Sequence, residues 1–180
     1  MDEDVTQWLN ISAGQNPILD AAAIAITKFG VPFLVFCVAA QWWGKANRPH
    51  VRHTAVAAGL SFLLGLALNQ VLLLFVHRVR PYNAGLTHLI IPPSADWSFP
   101  SDHATAAFAI VASFALQGLP GRSFLFLAVA VLIAGSRVFV GTHYASDVIG
   151  GACTGIVAAL IVRIAYREGT RLDRLATGIL

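Results

Sequence analysis

Charge is what this chain has least of. Lysine, arginine, aspartate and glutamate make up 12% of its 180 residues, about half the ~25% of an ordinary soluble domain. A fold solvated on every side is thereby excluded. Cysteine is almost missing as well: Cys37 and Cys153 are the only two. Both fall in apolar stretches where a free thiol behaves as a small hydrophobe, so neither a disulfide framework nor a cysteine zinc cluster is expected. Nor is a cleavable leader expected, because Met1-Asp2-Glu3-Asp4 is acidic where a signal peptide carries positive charge. The first apolar stretch should then stay in the mature protein.

What the chain has in abundance is hydrocarbon. Hydrophobic residues reach 57% and the mean hydropathy is +0.69. Crossing the hydrocarbon layer takes about 20 mainly apolar residues in a helix. Stretches of that kind run over 18–43, 53–77, 103–119, 123–140 and 147–166. They predict one all-α domain over 1–180, a polytopic membrane helical bundle with about five transmembrane elements. A sixth arises if the Gly30-Val31-Pro32 break splits the first stretch.

Lysine and arginine collect on the cytoplasmic side of membrane proteins. Lys45, Arg48, Arg52, Arg122, Arg163, Arg167, Arg171 and Arg174 fall in loops or tails that share one face. The other face holds Arg78, Arg80 and Arg137 with Asp2, Glu3, Asp4, Asp96, Asp102 and Asp147. That second face is predicted to lie outside, with the N-terminus out and the C-terminus in. A basic surplus of +3 fits anionic membrane lipids at the inner helix ends better than nucleic acid, which is not expected as a partner. His50 and His53 read as solvated residues of the basic inner loop.

The outer face carries an unusual polar set at helix ends: His77-Arg78-Val79-Arg80-Pro81, Pro100-Ser101-Asp102-His103, Ser136-Arg137, His143 and Asp147. Antiparallel packing brings these ends to one membrane surface, and ionisable groups at such depth point to function. A phosphoryl group in transfer spreads negative charge that arginines match with bidentate geometry, which suits Arg80 and Arg137. Ser101 and the first N–H groups of the helix behind it add donors, with Asp102 and His103 held in its first turn. His143 and Asp147, four apart, share a helix face. A carboxylate on one imidazole nitrogen leaves the other free to attack phosphorus, giving a phosphohistidine. His103 can then protonate the leaving oxygen and later activate water.

These residues resemble the motifs of the type 2 phosphatidic acid phosphatase superfamily: Lys, six residues, Arg-Pro; then Pro-Ser-Gly-His; then Ser-Arg, five residues, His, three residues, Asp. The third block matches fully at Ser136-Arg137, His143 and Asp147. The second has Asp102 in place of glycine, and the first matches only at Arg80-Pro81, with Leu73 at the lysine position. The resemblance implies His143 as nucleophile, His103 as acid, Asp147 as orienter, and Arg80, Ser101 and Arg137 as phosphate binders, with Asp102 counted among the substrate-binding set. Arg78 or Lys28 can take the lysine's place; Arg78 is favoured because Lys28 lies two to three turns inside the first span.

The short chain, the Pro100-Ser101-Asp102-His103 variant and Leu9-Asn10…Gly14-Gln15-Asn16-Pro17…Asp20 are similar to the bacitracin-resistance type of bacterial undecaprenyl diphosphate phosphatase. That likeness implies a polyprenyl diphosphate converted to its monophosphate on the outer face of the bacterial plasma membrane, recycling the carrier for cell-wall synthesis. Phosphatidylglycerophosphate and other lipid phosphates are the alternatives. From another class, a binding or transport protein would hold an anion with the same arginines, but no internal repeat is evident. Zinc on His103, His143, Asp102 and Asp147 is the competing arrangement, but two nearby arginines would repel a divalent cation and already supply positive charge; no metal and no cofactor is expected. Asp20 and Lys28 read equally as function or packing. Gly151-Ala152-Cys153-Thr154-Gly155 reads as a helix-packing face, compatible with a homodimer.

Overall fold

The computed structural model describes residues 1–178. They form α1 (Asp2–Asn10), α2 (Pro17–Ala40), a 3-10 turn (Gln41–Trp43), α3 (Arg48–Leu73), α4 (Asp102–Leu116), α5 (Pro120–Phe139), α6 (Ala145–Ala165) and α7 (Arg171–Thr177). Helix starts follow local chemistry. The Asn16 side chain accepts hydrogen bonds from Ile18 N and Leu19 N, with Pro17 in the first turn of α2, where a missing N–H costs nothing. Pro49 and Pro120 stand in the first turns of α3 and α5. Pro32 does not split α2, which runs on through it.

Four helices are long and apolar enough to cross a membrane: α2 with its 3-10 turn, α3, α5 and α6. Phe29, Phe33, Phe36, Leu63, Phe124, Leu132, Ile149 and Ile164 are exposed on their outer faces, a surface that hydrocarbon rather than water satisfies. The third expected span is shorter than the rest. With 15 residues, α4 is about 22 Å long, and it is the central helix, packed by α3, α5 and α6. Its start lies low among its neighbours: a Cβ added at Gly151 would meet the Ser101 carbonyl, and Gly151 is two turns into α6. The end of the bundle above α4 is therefore recessed.

Close approach of α4 and α6 needs small residues. A Cβ at Gly155 would meet the Thr105 carbonyl. The small-residue face of 151–155 is thus covered by α4 within the same chain. Below the recess the core is apolar: Leu34, Val38, Ala58, Ala107, Ile110, Phe114, Phe126, Ala130 and Ile133 cluster there, with Phe114 edge-on to Phe126 at 4.8 Å.

The opposite end corrects one expectation. His53 is fully buried rather than solvated. Its Nδ1 lies 2.8 Å from Asp173 Oδ1, Gln117 is 3.1 Å from its Nε2, and Tyr166 stacks on the ring at 4.8 Å. Tyr166 donates to the same carboxylate. His50 bridges Glu168 and the Gln117 carbonyl, both at 2.8 Å. The histidines thus fasten α7 and its approach to α3 and α4, where a hydrophobic count sees only a polar tail.

Candidate active site

The recess holds a cavity of about 130 Å³ lined by Leu73, Arg80, Ser94, Asp96, Trp97, Pro100, Asp102, His103, Arg137 and His143. Arg80, Asp102, His103, Arg137 and His143 of the expected set meet there. They come from the 74–101 loop, the first turn of α4, the last turn of α5 and the 140–144 turn, so the antiparallel ends do converge. Ser101 and Asp147 stand directly behind them, both fully buried.

His143 is 3% exposed, and its hydrogen bonds define which nitrogen can react. Nδ1 lies 2.8 Å from the Ser98 carbonyl oxygen, a group that only accepts, so Nδ1 carries the proton. The free lone pair is then on Nε2, which Arg80 Nη1 approaches at 3.4 Å. Asp147 Oδ2 is 3.5 Å from Nδ1, farther than the carbonyl. The expected carboxylate-imidazole pair exists, but a backbone oxygen is the nearer tautomer-fixing partner. Burial holds the His143 pKa below the ordinary histidine value; the Asp147 carboxylate opposes this, and the positive charges of Arg137 and Arg80 reinforce it. The imidazole is accordingly neutral at neutral pH, with its lone pair on Nε2.

Asp147 is itself fixed from three sides. Ser98 Oγ donates to Oδ2 at 2.5 Å, Tyr144 N donates to Oδ2 at 2.9 Å, and Arg78 Nη1 donates to Oδ1 at 2.7 Å. Arg78 does not line the cavity. Its other nitrogen donates to Asp2 Oδ2 at 2.6 Å, and its guanidinium lies 3.7 Å over the Tyr144 ring. Two carboxylates hold its guanidinium, so Arg78, weighed from sequence as a substitute for the motif lysine, stands behind Asp147 rather than on the cavity wall. Asp2, in turn, accepts from Ser146 N, so α1 is tied to the turn that carries His143. Neither Ser98 nor Asp2 carried a sequence signal, since a lone serine and an acidic terminus are common.

The arginines facing the cavity differ sharply. Arg80 donates to five oxygens: Asp96 O and Oδ1, Thr142 O and Oγ1, and Trp97 O. Arg137, 6% exposed, makes no side-chain hydrogen bond to any described residue, and its buried Nε has no partner. Ser101 Oγ is likewise buried and unpartnered. Buried donors left unpaired are costly; Arg137 lines the cavity with His143, and Ser101 lies behind that wall. Asp102 lines the wall and accepts from Asn69 Nδ2 at 2.6 Å, which joins α3 to α4. Among the described residues, no group of three or more His, Cys, Asp and Glu side chains is arranged to hold a metal ion.

The family model described as the PAP2 superfamily matches residues 54–171. The chain is 30% identical to undecaprenyl-diphosphatase BcrC of Bacillus subtilis (strain 168), over 89% of this chain and 82% of that protein. It is 29% identical to putative undecaprenyl-diphosphatase YbjG of Escherichia coli (strain K12), over 88% and 79%. The solved structure of Aquifex aeolicus LpxE superposes with a TM-score of 0.72 at 23% identity, covering 89% of this chain and 93% of that one, a likeness of fold.

Proposed function

Because the chain belongs to the PAP2 superfamily, we propose that it is a membrane phosphatase converting undecaprenyl diphosphate to undecaprenyl phosphate through a phosphohistidine on His143. The observation that carries the chemistry is the pairing of a proton-fixed imidazole with buried, unpartnered donors of Arg137 and Ser101. The similarity to diphosphatases over most of both chains supports the substrate.

In the first step His143 Nε2 attacks the terminal phosphorus, and the bond to the bridging oxygen breaks. Arg137 and Ser101 donate to the equatorial oxygens, where charge grows. Arg80, held by five acceptors, keeps a fixed N–H beside the attacking nitrogen. His103, on the cavity wall, gives its proton to the leaving lipid monophosphate. In the second step His103 takes a proton from water, the water oxygen attacks phosphorus, and the P–N bond breaks to release inorganic phosphate. No step needs a metal ion. The basic residues of 45–52, 122 and 163–174 lie at the end opposite the recess, which supports a site opening to the outer face of a bacterial plasma membrane.

The test is phosphate release from undecaprenyl diphosphate and from phosphatidylglycerophosphate by detergent-purified protein in EDTA, wild type against His143→Ala. Release that the variant loses is the expected result, faster from the diphosphate. Preference for phosphatidylglycerophosphate would move the enzyme to another lipid. An unaltered lipid in both cases would leave an anion-binding or transport protein.

A further inference from the structure

Lys28 stands at an unusual place. It is the twelfth residue of α2, roughly 17 Å from either end of that helix, too deep for its side chain to reach water along the helix axis. It is exposed on the bundle exterior, and its ammonium lies 5.4 Å from the ring of its neighbour Phe29. No carboxylate among the described residues pairs with it. Asp20, two turns away, accepts instead from Gly14 N at 3.1 Å. A lysine facing hydrocarbon at mid-span without a counter-ion is expensive and marks function.

The recess explains its depth. Thr27 Oγ1 is 2.8 Å from Ser136 Oγ, next in sequence to Arg137, and the Thr27 backbone reaches the His103 ring. Lys28 therefore lies level with the reacting groups, because the short α4 sets the site floor well below the outer helix ends. Its face is equally telling. Lys28, Val35, Ala39 and Trp42 fall on one side of α2 at helical spacing. The last three wall an apolar groove of about 450 Å³ between α2 and α3, whose floor includes Ile110 of α4. These two helices barely touch, being joined through the 3-10 turn at the far end. Lys28 and the groove thus share one face of α2, with Lys28 on the side nearer the recess.

We propose that Lys28 binds the lipid-proximal phosphate of a diphosphate substrate, the one that departs with the isoprenoid tail, and so selects diphosphates over monophosphates. This rests on the phosphatase reading above. The tail lies in the α2/α3 groove, the terminal phosphate reaches Arg137 and His143, and the phosphate between them meets the lysine. As the P–O bond breaks, negative charge grows on that departing phosphate, and the ammonium stabilises it. Lys28 is a substrate-binding group for one phosphate only, with no part in attack or proton transfer.

The experiment uses the full chain in detergent with farnesyl diphosphate and farnesyl monophosphate, which share a tail and differ by one phosphate. Lys28→Met should lower kcat/KM for the diphosphate about 10- to 100-fold while leaving the monophosphate within about 2-fold, and Lys28→Arg should restore the diphosphate rate. An equal fall on both substrates would assign the lysine to packing and overturn the inference, as would no fall on either. Wild-type protein that cleaves the monophosphate but not the diphosphate also overturns it while leaving the phosphohistidine chemistry standing. Wild-type protein inert toward both fails the phosphatase reading itself.

Discussion

Replacing Arg137 by methionine should move stability and activity in opposite directions. The guanidinium is 6% exposed and donates no side-chain hydrogen bond to the described residues, so in the resting protein it is a desolvated cation with little to offset it. Substituting buried charge by an apolar side chain of similar volume is often neutral or stabilising by about 1–4 kcal/mol. In the transition state the same group would make two charge-assisted hydrogen bonds to phosphoryl oxygens, each about 1.5–3 kcal/mol. Together these amount to about 3–6 kcal/mol, or roughly 10²- to 10⁴-fold in kcat/KM. Arg80→Met is the control, because five oxygens lose a donor, and it should lower both quantities. Thermal unfolding in detergent, followed by intrinsic fluorescence, gives stability; phosphate release gives kcat/KM. If Arg137→Met unfolds as early as Arg80→Met, or keeps its kcat/KM within about 3-fold of wild type, then Arg137 is structural and the reasoning fails.

The His143 pKa lies below the ordinary histidine value, so Nε2 stays unprotonated as pH falls. The acid limb of kcat/KM should accordingly lie below about 6.5, and a midpoint at or above that value would contradict the assignment. Asp147 is the group opposing that shift; Asp147→Asn should move the limb further toward acid, and an alkaline move would count against it. Ser98→Ala removes the hydroxyl from Asp147 but leaves the carbonyl on Nδ1. Stability should drop by about 1–3 kcal/mol and kcat by less than about 10-fold; a thousandfold loss would make the carboxylate, not the backbone, the keeper of the tautomer. At the far end, His53→Ala leaves the buried Asp173 carboxylate one partner short. A lower melting temperature with unchanged KM is expected, and a changed KM would reveal coupling across the bundle.

The three motif blocks were legible because each joins residues whose chemistry is rare in hydrocarbon, and their spacing puts them at helix ends. Helix order and the approximate extents of α2, α5 and α6 followed from apolar run length; Asn16, Pro17 and Pro120 set the exact starts of α2 and α5. What stayed hidden depends on depth and on long-range partners. Apolar content cannot tell a full span from α4, whose first turn is polar because it floors a recess. His53 sits in a basic loop by sequence and in a buried cluster by structure, since its partners Gln117, Tyr166 and Asp173 are 64, 113 and 120 positions away. The depth of Lys28 relative to the recess stayed hidden for the same reason that α4 looked long enough to cross: sequence gives position along a helix but not the level of the recess floor.

Arg78, Arg80 and Arg137 show why residue type alone does not assign a phosphate ligand. All three are expected near the phosphate, and their side chains are identical. Their hydrogen-bond inventories are not. Arg78 is neutralised by Asp2 and Asp147 and serves as a strut from α1 to the carboxylate behind His143. Arg80 has its donors directed to protein oxygens, so its cost of ordering is met on folding and it presents a fixed positive edge to Nε2. Arg137 alone has donors that nothing in the described protein satisfies. A site that binds a multiply charged, many-oxygened group needs such an unmet donor at its centre and satisfied ones around it, because donors already paired must break bonds before they can grip. It is the arrangement of satisfaction, more than the count of arginines, on which the proposed position of the phosphoryl group rests.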